Sequence, residues 1–153
     1  SLIAKIISLA DFNSSDTVLI IGSSTGYSSA ILSNIAETVI SIEEDDQLVN
    51  FSETIVLDKK IDNVVFLKKD LNEGCPEHGP FNKILIEGAV EDIPSYLFDQ
   101  LDENGKMIAI IANGDLSEVR EYNKVGENIG SKFLFNCEAP KLKAFNKTDS
   151  FNF

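Results

Sequence analysis

The sequence predicts an α/β fold: a doubly wound, mostly parallel seven-stranded sheet with an antiparallel last strand. Three observations lead there. Short apolar runs rich in β-branched residues alternate with segments of helical periodicity, an order that builds a parallel sheet from right-handed crossovers with helices on both faces. The first such run ends in a glycine turn that leads straight into a helix. The last two runs have no helix between them and read as an antiparallel pair closing the sheet.

Residues 1–153 read as a single domain, since about 150 residues is one domain's worth of chain and buries about 70% of its unfolded surface. A hydrophobic fraction of 43% excludes disorder, and 9 glycines and 2 cysteines exclude collagen-like and disulfide-framework scaffolds. No repeat, low-complexity tract or Pro/Gly/Ser-rich linker interrupts the chain.

Leu2, Ile3, Ile6, Ile7 and Ala10 recur at helical spacing and form the first helix, with a polar connection from Asp11 to Asp16. TVLII (17–21) is a strand buried on both faces, closed by Gly22. Tyr27 to Ala36 is a helix, TVISI (38–42) a strand, and Asp46 to Lys60 a helix with Leu48, Phe51, Ile55 and Val56 on one side. Val64 to Leu67 is the third strand and NKILI (82–86) the fourth. A helix follows that Asp92 can cap and Pro94 can begin. KMIAIIA (106–112) is the fifth strand, after a turn at Asn104 and Gly105. Glu118 to Tyr122 and Lys132 to Phe135 complete the sheet, joined by a segment containing Gly126 and Gly130.

Acidic residues outnumber basic ones 25 to 13, and the resulting net charge of −12 argues against a nucleic-acid partner, which needs clustered cations. Arg120 is the only arginine. Membrane association is not expected, because no stretch approaches about 20 uninterrupted apolar residues. The opening SLIAKIISLADFNSSD lacks the form of a secretory leader, so a cytoplasmic location is expected. Cys75 and Cys137 lack CxxC spacing and are expected as free thiols, and no metal site is expected.

In such a sheet ligands bind outside the carboxyl ends of the strands, where strand order reverses beside the first strand. Gly22-Ser23-Ser24-Thr25-Gly26-Tyr27 occupies that place: Gly22 permits a tight turn, Gly26 lets strand and helix approach, and the helix start offers unpaired N–H groups. The second strand runs into Glu43-Glu44-Asp45-Asp46, placing a carboxylate about 20 residues past the glycine turn, where an acid can hold a ribose. Glu43, next to the buried strand, is the better ribose candidate, with Glu44 beside it. Asp45 and Asp46 suit the helix start that follows. After the third strand, Asp70 can accept from an adenine amino group while the Leu71 N–H donates to the ring. Glu87-Gly88-Ala89 turns a further carboxylate toward the same crevice.

The ligand class follows partly by subtraction. The middle glycine of GxGxxG is missing, there is no Tyr-x-x-x-Lys pair, and no GK[ST] closes the turn as a P-loop requires. A small adenosine-type ligand remains, and S-adenosylmethionine fits.

With these residues in place, the chain resembles the protein-L-isoaspartate O-methyltransferases. VLIIGSSTGYSSAILSNIAETVISIEED is similar to the family's VLEIGTGSGYxxAxLxxLxxxVxSIExD. In the segment from Asn63 to Ile111, Pro76, Pro80, Phe81, Ile93, Pro94, Gln100, Leu101 and Gly105 fall in register with the family pattern. Ile20, Ser24, Lys69, Leu71 and the Gly88-Ala89-Val90-Glu91 stretch depart from it.

The resemblance implies a Rossmann-like methyltransferase fold and S-adenosylmethionine as cofactor. Gly22, Ser23, Ser24, Gly26 and Tyr27 would line its methionine end, Glu43 and Glu44 the ribose, Asp70 and Leu71 the adenine, with Glu87 on the same side. It implies methylation of damaged aspartyl carboxylates, a protein-repair reaction on proteins or peptides bearing isoaspartate. A small-molecule O- or N-methyltransferase and a non-catalytic binding module on the same scaffold are the alternatives. The family's hydroxyl-bearing N-terminal loop has no counterpart in this sequence, so the domain is expected to lack that segment and no catalytic residue is assigned. His78, the sole histidine, is expected in an exposed turn.

Overall fold

Every β-branched run named above is a strand in the computed structural model, which describes residues 1–23 and 25–147. The strands are β1 (Thr17–Ile21), β2 (Thr38–Glu43), β3 (Val64–Lys68), β4 (Phe81–Val90), β5 (Leu101–Asn113), β6 (Leu116–Val125) and β7 (Asn128–Cys137). The helices are α1 (Leu2–Leu9), α2 (Tyr27–Ser33), α3 (Asp46–Asp58) and α4 (Ser95–Phe98). One mixed sheet has the order β3-β2-β1-β4-β5-β6-β7. The first five strands run parallel; β6 runs against both β5 and β7, so the closing hairpin carries the reversal.

Side chains alternate across the central strands and split the core into two layers. Val18 and Ile20 of β1, with Leu85, Ile108 and Val119, pack under Ile6 and Ala10 of the α1 segment and Leu32 of α2. Leu19 and Ile21, with Ile42, Ile84, Ile86 and Met107, face the other way, onto Leu71, Phe81, Leu97 and Phe145. That second face departs from expectation. In place of full helices it carries four-residue α4 and short 3-10 turns at Leu71–Glu73, Pro76–His78 and Lys143–Phe145. Gly74, Pro76, Gly79 and Pro80 leave no room for helical periodicity there.

Other boundaries shift for local reasons. Pro94 takes the N-cap position of α4 and Asp92 does not cap it, since the residue before a proline is held out of the helical region. The Asn104-Gly105 turn is a bulge inside β5: pairing jumps from Phe81↔Leu101 to Lys83↔Lys106, and Asn104 has φ 63°. Gly126 sits in the β6–β7 turn, whereas Gly130 lies inside β7 opposite Asn123. Asp45 caps α3, its Oδ1 accepting from the Gln47 N–H at 2.8 Å and the Leu48 N–H at 3.4 Å.

At the amino ends of the strands a buried ion pair ties the sheet together. Lys83 Nζ of β4 lies 3.0 Å from Asp16 Oδ2, both side chains under 10% exposed. The Asp16 carbonyl accepts from the N–H groups of Glu37 and Thr38. Among the described residues no helix is long and apolar enough to cross a membrane.

Candidate functional site

The opposite end of the sheet is open. Strand order reverses between β1 and its two neighbours, β2 and β4, and a cleft of about 420 Å³ lies over that point. Its floor is the turn after β1. Gly22 (φ 82°) donates its N–H to the Ile42 carbonyl at 3.0 Å, and Gly26 (φ 80°) donates to the Ser23 carbonyl at 2.9 Å. A Cβ on Gly26 would lie 3.0 Å from Ser52 Oγ, so this residue must be small as well as left-handed. Ser23 is buried, and its hydroxyl has no hydrogen-bond partner among the described residues. Ser24 lies outside the described residues. Tyr27, first in α2 and 58% exposed, stands at the rim.

Two carboxylates face the cleft. Glu43 ends β2 and is 9% exposed; its Oε1 accepts from the Glu44 N–H at 3.1 Å. Glu87 follows Ile86 on β4, and its Oε2 accepts the Ser28 hydroxyl at 2.7 Å. Burial pushes the Glu87 carboxyl up to about 7; the Ser28 hydrogen bond works against this and the Glu43 charge adds to it. No lysine or arginine is among the described residues lining the cleft. Its charged lining residues, Glu43 and Glu87, are hydrogen-bond acceptors that favour a cation.

A second hollow of about 330 Å³ lies beside it, over the ends of β2 and β3, lined by Glu44, Lys68, Lys69, Asp70 and Glu73. Asp70 is exposed there. The Leu71 N–H, expected from sequence as a donor to an adenine ring, donates to Glu44 Oε1 at 3.0 Å, and the Leu71 side chain is buried in the core beneath. The structure thus brings Gly22, Tyr27, Glu43 and Glu87 to one cleft and sets Glu44 and Asp70 in the adjoining hollow. His78 is exposed in its 3-10 turn, Cys75 and Cys137 are free, and no cluster of metal-ligating side chains occurs among the described residues.

Sequence reasoning missed the cleft's far wall. The segment after β7 folds back onto the end of β4: Ala89 donates to the Pro140 carbonyl at 2.9 Å and Leu142 donates to the Ala89 carbonyl at 2.8 Å. Leu142 then packs over Gly88 and Gly22, and a Cβ on Gly88 would meet Leu142 Cγ at 2.5 Å. The signal was Gly88 itself, which marks a close approach without saying by what. Leu2 and Ile3 of α1 also line the cleft, a use of that helix that periodicity does not reveal.

The model of the protein-L-isoaspartate(D-aspartate) O-methyltransferase family matches residues 1–137. The chain belongs to that family. A protein-L-isoaspartate O-methyltransferase of Azorhizobium caulinodans is 31% identical over 94% of the chain and 67% of its own length. One from Jannaschia sp. is 37% identical over 65% of the chain and 45% of its own length. The chain spans between about half and two thirds of the curated relatives it matches. Among solved structures, a protein-L-isoaspartate O-methyltransferase superposes with a TM-score of 0.88 at 24% identity, covering 95% of the chain and 48% of that protein. A candidate member from Plasmodium falciparum, solved with S-adenosyl-L-homocysteine, gives a TM-score of 0.76 at 28% identity over 93% of the chain and 71% of its own.

Proposed function

We propose that this domain binds S-adenosylmethionine and directs its methyl group to a carboxylate of a protein or peptide, in the first instance an isoaspartyl side chain, in the cytoplasm. The observation that carries this reading is the cleft at the strand-order reversal, where the Gly22–Gly26 turn and the Glu43 carboxylate meet in a chain of this family.

The residues fit the cofactor. Gly22 and Gly26 present no side chain at the two ends of the turn, the Ser23 hydroxyl lacks a partner among the described residues, and Glu43 ends β2 where a diol can be accepted by both carboxylate oxygens. When bound, S-adenosylmethionine supplies a methyl group on a positively charged sulfur. The protein's part is then positioning and exclusion of water, which together can contribute about 7–11 kcal/mol. A carboxylate acceptor with a pKa near 4 is ionised at neutral pH, so no general base is needed. Because the chain carries a net charge of −12, such an acceptor approaches against the overall field, and local groups must hold it.

The test is transfer of labelled methyl from S-adenosylmethionine to an isoaspartyl peptide, with the matching aspartyl peptide as control. Label on the isoaspartyl peptide alone is the expected result. Binding of S-adenosylhomocysteine with no transfer to that peptide would remove the acceptor assignment and leave the cofactor assignment standing.

A further inference from the structure

Strand order fixes a spatial order of chemistry. Reading β2-β1-β4 across the open end of the sheet, the order is Glu43 at the end of β2, Gly22 just past β1, and Glu87 of β4, one residue beyond the last β1–β4 pair. The β1–β4 register ends at Ile21↔Ile86, so Glu87 stands beside Gly22, and a Cβ on Gly22 would lie 3.4 Å from the Glu87 carbonyl. Adjacent strands are about 4.8 Å apart, so the two-strand step from Glu43 to Glu87 spans about 10 Å.

Glu87 is poorly provided for by the protein itself. Among the described residues the Ser28 hydroxyl is its only hydrogen-bond donor, and neither a lysine nor an arginine pairs with it. Alternation along β4 puts its side chain on the α2 face, where β1 offers only Ile20, apolar and fully buried. A carboxylate in a partly buried cleft, with a second carboxylate facing the same space, is stabilised by an added cation. The cofactor of the preceding section has one to give. Its α-ammonium stands at the end of the molecule away from adenine, with the ribose between.

We propose that Glu87 receives the α-ammonium of the cofactor's amino-acid end while Glu43 holds the ribose, so that two carboxylates two strands apart select for the ligand's length and for its cation. The assignment rests on the S-adenosylmethionine reading. It makes Glu87 the residue that distinguishes ligands carrying the amino-acid end from adenosine compounds that lack it.

Two probes separate this proposal from the reading beneath it. Calorimetric titration at pH 8 compares S-adenosylhomocysteine with 5′-methylthioadenosine, which keeps the adenosine and sulfur but has no amino-acid end. Glu87→Gln is expected to weaken S-adenosylhomocysteine about tenfold or more, the weight of a charge-assisted hydrogen bond, and to leave 5′-methylthioadenosine within about twofold. Glu87→Asp keeps the charge and is expected to lose less than Glu87→Gln. Unchanged S-adenosylhomocysteine affinity in Glu87→Gln, or an equal loss for both probes, overturns the proposal. If the unsubstituted chain binds neither probe, the cofactor reading falls and this assignment with it.

Discussion

Replacing Glu87 by glutamine should stabilise the ligand-free protein at pH 8 and flatten its pH dependence. In the folded chain burial and the Glu43 charge push this carboxyl from its ordinary 4.5 up to about 7. A carboxyl whose folded pKa lies above its unfolded value binds more protons folded than unfolded between the two. Its stabilising contribution is therefore fully present below about 4.5 and is lost as pH rises to 7. At about 1.4 kcal/mol per pH unit that interval corresponds to about 3 kcal/mol lost by pH 8. Partial exposure of the side chain reduces the working figure to about 2 kcal/mol. Glutamine keeps the size, keeps an acceptor for Ser28, and has no charge to desolvate. For a chain of this length the gain is a Tm higher by about 4–8 °C at pH 8, shrinking to about a quarter of that at pH 5. Thermal melts of both proteins between pH 5 and pH 8, without ligand, measure the difference, and carboxylates remote from Glu87 cancel in it. Parallel curves across that range, or a variant less stable at pH 8, would refute the account of the Glu87 environment.

Other perturbations follow from the same geometry. Glu43→Ala should abolish most of the thermal shift given by saturating S-adenosylhomocysteine, a stabilisation of about 2.7 kcal/mol at 100 times the dissociation constant; a retained shift would move the ribose site elsewhere. Glu44→Ala frees the Leu71 N–H, and we expect a stability loss of about 1 kcal/mol with tighter binding of 5′-methylthioadenosine, both read by melting with and without the probe. Gly26→Ala adds a side chain at φ 80°, 3.0 Å from Ser52 Oγ, and should cost about 1–2 kcal/mol in urea unfolding. Lys83→Met strands the buried Asp16 carboxylate and should cost about 3–5 kcal/mol in the same assay while leaving ligand selectivity unaltered.

Much of the architecture could be read from residue type alone, because β-branched runs such as TVLII and TVISI are short, apolar throughout and bounded by polar turns. Asp45 was legible for a similar reason: a cap acts within two or three residues of itself. What local pattern left unread shares a different cause. The Leu71 N–H is held by Glu44, 27 positions away, a pairing that its neighbours in sequence do not announce. The cleft's wall at Leu142 is likewise set by a return of the chain to β4 that local pattern does not encode. Asp92 failed as a cap through Pro94, whose effect on the preceding backbone outweighed the capping preference. In the site, glycines and carboxylates at strand ends announced themselves, whereas Ser28 and the walls from α1 and the segment after β7 are tertiary facts.

The Asp16–Lys83 pair has a consequence for how this sheet tolerates change. One aspartate anchors three strands at once: its own backbone leads into β1, its carbonyl receives the start of β2, and its carboxylate holds β4. All of this happens at the end of the strands remote from the cleft. Anchorage and recognition are thereby assigned to opposite poles of the same sheet. Residues lining the cleft at the carboxyl pole, Glu87 and Tyr27 among them, can be exchanged for others of different chemistry with the frame still clamped from below. A fold wired in this way can change what it holds without first having to relearn how to stand.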